Sequence, residues 1–372
     1  MTTFNQRFLR LAAGLAIAAI SLAARADITL LQVAPLSGPY GGIGWHIQVG
    51  AQVAFAETNG RGGIGGQKLK LASYDQEADI SKQVRELVEK QQPVALFGMV
   101  GDDTVKKLAD DRVLADTGLP LVGARMGAAS VVALSKQIYL TRPGFEYELS
   151  RVLRQFSISG IKSVALVYED DSYGREVLGF AKKLAGANGQ TLTSVGYLAG
   201  SAQVDEAVAK MTKAQPQAII LASQTAGAAA FIQRFRSQGG SSQLATLSYV
   251  EGSQLAKVIG TQAAHGVGVL EVSPNTLNEA MPLVREFRAA FKKYGPADVE
   301  PTQAMMESYV AARALTEALK RAGGNKAKLV AALGSLDHYD LGGLPITFSG
   351  EHRYGTEFAE LAVIDRTGRV LR

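Results

Sequence analysis

The sequence predicts an α/β protein of two lobes, each a parallel sheet with helices on both faces. Three observations predict it. Strand-like apolar runs alternate with helical stretches from Ile28 to about residue 142, and alternation at that spacing makes βαβ units. The same rhythm restarts around residues 139–145 and continues to residue 272. The chain of 372 residues is longer than one hydrophobic core serves, so two lobes are the default.

Residues 1–26 are read before any fold. Arg7 and Arg10 form a basic n-region, residues 11–24 an apolar h-region, and Ala24-Arg25-Ala26 a small-x-small cleavage site, which together make a secretory signal peptide. Cleavage leaves Asp27 first; the competing reading is an uncleaved N-terminal anchor. Removing Arg7, Arg10 and Arg25 from the 39 basic residues leaves 36 against 34 acidic ones, a net charge near +2. With no Lys/Arg run or aromatic-interleaved basic patch, nothing points to nucleic acid. The absence of cysteine excludes disulfides, thiolate metal sites and a cysteine nucleophile together, and it is consistent with an oxidising compartment.

The stretch 29–66 organises the rest. Ile28 to Ala34 reads as a buried parallel strand, and Gly38, Gly41, Gly42 and Gly44 let the backbone turn into a helix expected over 45–58. Unpaired N–H groups and partial positive charge at that helix start suit a polar group of a small ligand. A dinucleotide site opens in the same way, with Asp75 standing where such an enzyme holds a ribose. The glycines, however, do not fall into G-x-G-x-x-G, and Pro35 and Pro39 stiffen the loop.

Strands are expected at 69–74, 94–99 and 120–123, and helices at 80–91 and 103–116. The second series has helices at 146–157, 173–187, 204–213 and 226–237, with strands at 162–168, 191–197, 218–222, 245–249 and 266–272. A Pro-Asn segment at 273–278 breaks the rhythm. Helices at 281–294, 302–322 and 326–333 and strands at 344–348 and 358–365 close the chain. Such an order implies chain crossings near 143, 274 and 350, with a ligand cleft at the carboxyl ends of both strand sets. The lobes are expected as 27–142 plus 274–349 and 143–273 plus 350–372.

Catalytic patterns are missing. No G-x-S-x-G, G-x-x-x-x-G-K-[ST] or H-E-x-x-H occurs, and His46, His265, His338 and His352 are scattered without ligand spacing. The acidic run from Glu169 starts like a calcium loop but has Phe180 at its twelfth position, where a bidentate Glu is needed. The expectation is a non-enzyme without cofactor or metal.

Pro35-Leu36-Ser37-Gly38-Pro39, Asn59-Gly60-Arg61-Gly62-Gly63-Ile64-Gly65-Gly66, Tyr74-Asp75, Asp171-Ser172-Tyr173-Gly174 and Glu251-Gly252 carry a family likeness. Over essentially the whole mature chain the sequence resembles the periplasmic leucine/isoleucine/valine-binding proteins, type I substrate-binding proteins of ABC transporters. The resemblance implies two Rossmann-like lobes joined by a three-crossover hinge that closes over one small molecule. It further implies a monomer in the periplasm that hands an amino acid, or a related organic acid or amide, to an inner-membrane ABC permease. A sensor of the same fold feeding a signalling partner is the alternative.

The resemblance also implies a ligand site. Ile43 falls where a side chain covers the ligand, and Asp102 where a small hydroxyl normally helps hold its carboxylate, with Thr104 a substitute hydroxyl if the register slips. Arg125 and Gly127 fall on the next strand-end loop. Tyr173 matches a tyrosine that packs on the ligand, Gln224 stands where an aromatic is common, and Glu251 matches the acid that pairs with the ligand ammonium. Asp102 is a departure: two like charges about 4 Å apart repel by about 4 kcal/mol at an effective dielectric near 20. Arg125 is a candidate replacement clamp for a carboxylate. Plainer roles stand beside these: Asp102 as a helix N-cap, Arg125 in a surface ion pair, Tyr173 in lobe packing, Glu251 paired with a neighbouring base and Trp45 in the core.

Overall fold

The computed structural model describes residues 26–38 and 41–371; the expected signal peptide, apart from Ala26, lies outside the described residues. Its first sheet is built from β1 (Ile28–Ala34), β2 (Leu69–Asp75), β3 (Ala95–Phe97), β4 (Leu121–Val122) and β5 (Ile138–Tyr139). Between them run α1 (Gly41–Gly60), α2 (Ile80–Gln91), α3 (Asp102–Asp110), α4 (Val113–Thr117) and α5 (Ala129–Val132). The strand order is β2-β1-β3-β4-β5 and every pairing is parallel.

A second series follows: α6 (Phe145–Ile158), β6 (Ser163–Glu169), α7 (Ser172–Ala187), β7 (Thr191–Tyr197), α8 (Asp205–Ala214), β8 (Ala218–Ala222), α9 (Thr225–Ser237), β9 (Gln243–Thr246), α10 (Gly252–Ile259), α11 (Thr261–Ala264) and β10 (Gly268–Glu271). The chain then returns to the first sheet with α12 (Pro282–Tyr294), α13 (Gln303–Arg321), α14 (Lys326–Gly334) and the small hairpin β11 (Tyr339–Asp340) and β12 (Pro345–Ile346). Last come β13 (Glu360–Ile364) and β14 (Val370–Leu371), which add antiparallel edges to a seven-stranded sheet of order β14-β13-β10-β9-β8-β6-β7. The molecule is therefore two α/β lobes. Two of the passages between them run side by side, where Leu140 pairs in parallel with Tyr354 and its N–H donates to the Arg353 carbonyl at 2.8 Å.

Strand residues point alternately to opposite faces, and this divides the core into three clusters. Leu30 and Phe97 pack with Phe55 of α1 and Tyr309 of α13 on one face of the first sheet. Leu31, Val33 and Leu96, on its other face, belong to a cluster that runs through Phe145 into the second lobe and reaches Leu166 and Ile220. Val167, Leu221 and Phe231 form the third cluster on the far face of the second sheet. The central strands of both sheets are thus buried on both faces, which is why they read as largely apolar runs.

The glycines after β1 act in two ways: Gly38, with a φ of 69°, turns the chain as expected, and Gly41 and Gly44 do something else. The helix begins at Gly41 and not near residue 45, and a Cβ on Gly44 would lie 1.9 Å from the Pro35 carbonyl oxygen and one on Gly41 2.9 Å from that of Leu36. Gly41 and Gly44 thus permit close contact between helix and loop. The helix expected over 103–116 is broken into α3 and α4 by Arg112, whose φ of 60° is left-handed. Six elements, α5, β5, α10, α11, β11 and β14, were not anticipated. Trp45 is 36% exposed, so the core reading of that residue is corrected.

Candidate functional site

The first sheet reverses its strand order between β1 and β3, the second between β6 and β8, and ligands of open α/β sheets sit outside the carboxyl ends at such points. From the first lobe, the start of α1 supplies Gly42, Ile43 and His46. The loop before it is pinned by Asp75, whose carboxylate accepts the Leu36 N–H at 2.7 Å and the Ser37 hydroxyl. Those hydrogen bonds, the Ser37 hydroxyl first, hold the Asp75 pKa below the usual range. A ribose would have to displace these partners, so the dinucleotide reading loses its acid.

From the second lobe, Glu169 at the end of β6 gathers three neighbours. Its Oε1 accepts the Gln224 N–H at 2.9 Å and the Tyr197 hydroxyl at 3.3 Å, and its Oε2 accepts the Gly200 N–H at 3.3 Å. One carboxylate thereby fixes the ends of β6, β7 and β8. Glu251 begins α10, its backbone N–H donating to the Thr225 hydroxyl at 3.0 Å. Its side chain does not cap that helix and is buried against the first lobe.

A cavity of about 390 Å³ lies between these walls. It is lined by Ile43 and His46 on one side and by Glu169, Gln224, Tyr249 and Glu251 on the other, with small residues such as Gly200 and Ala226 between. The volume suits a small organic molecule. His46 Nδ1 and Glu251 Oε2 stand 3.9 Å apart, and neither atom has a hydrogen-bond partner among the described residues. Burial, reinforced by Arg125 and Lys257, lowers the His46 pKa to about 4, so its imidazole is neutral at pH 7. Burial also raises the Glu251 pKa, against the pull of Arg125 and with the repulsion of Glu307 added.

Under the cavity lies a polar and aromatic floor that joins the lobes. Asp102 does not cap α3, which starts after Gly101 without a side-chain cap. Its Oδ1 instead accepts the N–H groups of Gly127 and Ala128 at 3.1 and 2.9 Å, and its Oδ2 accepts the Tyr249 hydroxyl at 2.7 Å. Burial raises the Asp102 pKa, and these three donors oppose the rise. The Tyr249 ring packs on Tyr173 and Phe145 at centroid distances of 4.5 and 5.3 Å. Arg125 is buried, which corrects the surface-pair reading. It donates to Glu307 Oε2 at 2.9 Å and to the Ser248 carbonyl at 2.8 Å, and it approaches Glu251 Oε1 at 3.9 Å. Arg142 reaches Glu148 at 2.7 Å, Glu307 at 3.1 Å and the Ser248 hydroxyl. Burial opposes its charge, but Glu307 and Glu148 more than offset that and keep it protonated.

Of the eight expected site residues, Ile43, Gln224 and Glu251 line the cavity. Asp102, Arg125, Gly127 and Tyr173 lie in the floor and do not line the cavity: Arg125 is committed to Glu307, and Tyr173 packs against the Tyr249 ring. Thr104 stands apart, accepting from Gln76 Nε2 at 3.3 Å. Sequence reasoning missed Tyr249, His46 and Glu169 as wall residues. A tyrosine two positions before Glu251, on a strand-end loop, was the available signal for the first. Among the described residues no group of three or more His, Cys, Asp or Glu is placed to hold a metal ion.

The profile of the periplasmic binding protein family matches residues 27–369. A Leu/Ile/Val-binding protein homolog of Brucella abortus is 26% identical over 336 residues, covering 85% of this chain and 82% of its own. A crystal structure of a substrate-binding periplasmic protein from Ralstonia solanacearum superposes with a TM-score of 0.87 at 32% identity, covering 93% of this chain and 99% of that one. The substrate-binding protein of a branched-chain amino acid transporter from Streptococcus pneumoniae, in complex with isoleucine, has the same fold, with a TM-score of 0.80 at 18% identity over 92% and 97% of the two chains.

Proposed function

Since the chain belongs to the periplasmic binding protein family, of the leucine/isoleucine/valine-binding type, we propose that it captures a small polar solute between its lobes and delivers it to an ABC permease. It works in the periplasm, after removal of residues 1–26, as a monomer and without catalysis. The units that close are 27–142 plus 274–349 and 143–273 plus 350–372, hinged where the chain passes between the sheets.

The observation that carries this reading is the cavity wall. Gly42, Ile43 and His46 come from the first lobe and Glu169, Gln224, Tyr249 and Glu251 from the second, so a molecule held there touches both. Contact with both walls is available only when they are close, and a ligand shifts the population toward the state it binds better. Glu251 lines the wall and offers its carboxylate for a charge-assisted hydrogen bond to the solute. The nitrogen of an amino acid or an amide meets that requirement.

A thermal-shift screen of amino acids, organic acids, amides and amines tests the capture reading. A ligand at about 100 times its Kd adds about 2.7 kcal/mol of stability to the folded state. Trp45, whose ring lies 5.4 Å from that of His46, reports the same event by fluorescence. Absence of any response across the screen contradicts capture.

A further inference from the structure

We infer that the protein carries a second small-molecule site, apart from the cleft, which takes an amine: an ammonium group on a compact apolar body. This goes beyond the capture reading and does not depend on it. A cavity, the buried acid in its wall and the hydrogen bonds already spent around that acid carry the inference.

A cavity of about 420 Å³ lies on the other side of α10 from the cleft. Helical spacing divides that helix: Glu251 and Gln254 line the cleft, whereas Ser253, Ala256 and Lys257 line the second cavity. Pro301 and Gln303, at the start of α13, close it from the first lobe, and Asn275 and Leu277 close it from the passage between the sheets. The volume suits a small organic molecule. An apolar body finds Ala256, Leu277, Pro301 and Val370 there, and Leu277, which is 46% exposed, is the side chain it would cover.

The polar part of the wall calls for a donor. Glu271, at the end of β10, is 5% exposed, so its carboxylate is the desolvated charge of this cavity. Arg369, on the rim, has a side chain 63% exposed and lies 3.5 Å from Asp365, and Lys257 and Glu300 are exposed rim residues of opposite sign. Asn275 Nδ2 donates to Glu271 Oε2 at 2.9 Å and to the Val370 carbonyl at 3.1 Å, which spends that amide and leaves Glu271 Oε1 to an occupant. Gln303 directs its Nε2 to the Ser273 hydroxyl and the Pro274 carbonyl, and its Oε1 is a second acceptor. The start of α13 is capped by Thr302, whose hydroxyl accepts the Met305 N–H at 3.3 Å. The Ser253 and Thr276 hydroxyls either donate or accept, so they do not select. Within the fold Glu271 is acted on by burial first, by the Asn275 hydrogen bond, and by repulsion from Glu251 and Glu360; no cation is among these groups. An ammonium in the cavity supplies the missing charge, through a charge-assisted hydrogen bond made stronger by the low dielectric around it.

The test uses the mature protein, the cavity-filling variant Ser253→Phe and the uncharged variant Glu271→Gln. The probes are butylamine, isopentylamine, cyclohexylamine and benzylamine, each beside the alcohol and the carboxylic acid on the same body, with binding read by calorimetry. At least one amine is expected to bind the parent protein at one equivalent per chain, about tenfold or more tighter than its alcohol and its acid. Its affinity should fall about tenfold or more in Glu271→Gln and vanish in Ser253→Phe, while a solute found by the thermal-shift screen binds Ser253→Phe as it binds the parent. Should Ser253→Phe fail to fold, Glu271→Gln decides alone. Absence of amine binding to the parent, or an affinity that Glu271→Gln leaves unchanged, overturns the second site. An alcohol or acid that binds as tightly as its amine overturns the assigned head group. Neither result touches the capture reading, and silence of the wider screen toward every compound but an amine lost in Ser253→Phe would overturn capture and leave this site standing.

Discussion

Tyr249 donates its hydroxyl to Oδ2 of Asp102 at 2.7 Å, a bond between the loop after β9 in the second sheet and the start of α3 beside the first. The two residues lie 147 positions apart in sequence. Asp102 is buried, so each donor that it accepts matters for keeping its carboxylate there.

Tyr249→Phe removes that donor and keeps the ring between Tyr173 and Phe145. Loss of one charged hydrogen bond in a buried site is expected to cost about 1.5–3 kcal/mol, read as a lowered urea midpoint with an unchanged slope. A variant as stable as the parent would mean that the hydroxyl is not a structural bond between the lobes.

Arg142 is fully buried between Glu148 and Glu307. Arg142→Met leaves two buried carboxylates short of their partner, and about 3–5 kcal/mol of stability should be lost. Combining it with Glu148→Met should restore part of that loss, because the second change removes an orphaned charge. Strict additivity in a double-mutant cycle would show that the two side chains do not interact.

Gly44→Ala forces a Cβ to within 1.9 Å of the Pro35 carbonyl oxygen, a backbone atom that cannot rotate away. The start of α1 must shift, so the variant is expected to lose stability by about 1–3 kcal/mol or more and to displace Ile43 and His46 with it. An unchanged melting temperature would contradict the close approach. Gly42→Ala, whose Cβ meets nothing within 4 Å, is the control.

The two-lobed architecture was legible in the sequence because strands buried on both faces leave apolar runs, and helices between them leave a different period. Ile43, Gln224 and Glu251 were named through the family resemblance, and each stands at a strand end or helix start on the cavity wall. The roles of Asp102 and Arg125 were not. Their partners, Tyr249 and Glu307, are 147 and 182 residues away, and no local spacing records a contact of that range. The break at Arg112 was hidden for a similar reason: an arginine with positive φ has no composition cue of the kind that glycine gives.

Glu271 gives the fold a dependence on pH. Burial, with Glu251 and Glu360 adding repulsion and an Asn275 hydrogen bond opposing, raises its pKa from 4.5 to about 8. Between those values the folded protein holds a proton that the unfolded chain releases, so this contribution is full below pH 4.5 and is lost as pH rises through 8. Glu271→Gln keeps an acceptor for Asn275 and has no charge to bury. It is expected to stabilise the protein at pH 8.5 by an amount on the order of 2–5 kcal/mol and to have little effect at pH 4.5. Equal effects at both values would mean that Glu271 does not titrate in this window.

The central claim is that Glu251 meets the solute in a cavity walled by both lobes. Calorimetric titration of the tightest ligand from the thermal-shift screen into the parent protein and into Glu251→Ala tests it most directly. Loss of a buried charge-assisted hydrogen bond of about 1.5–3 kcal/mol predicts affinity at least tenfold weaker in the variant, with its fold intact by circular dichroism. Equal affinity in the two proteins would place the solute elsewhere and contradict the account.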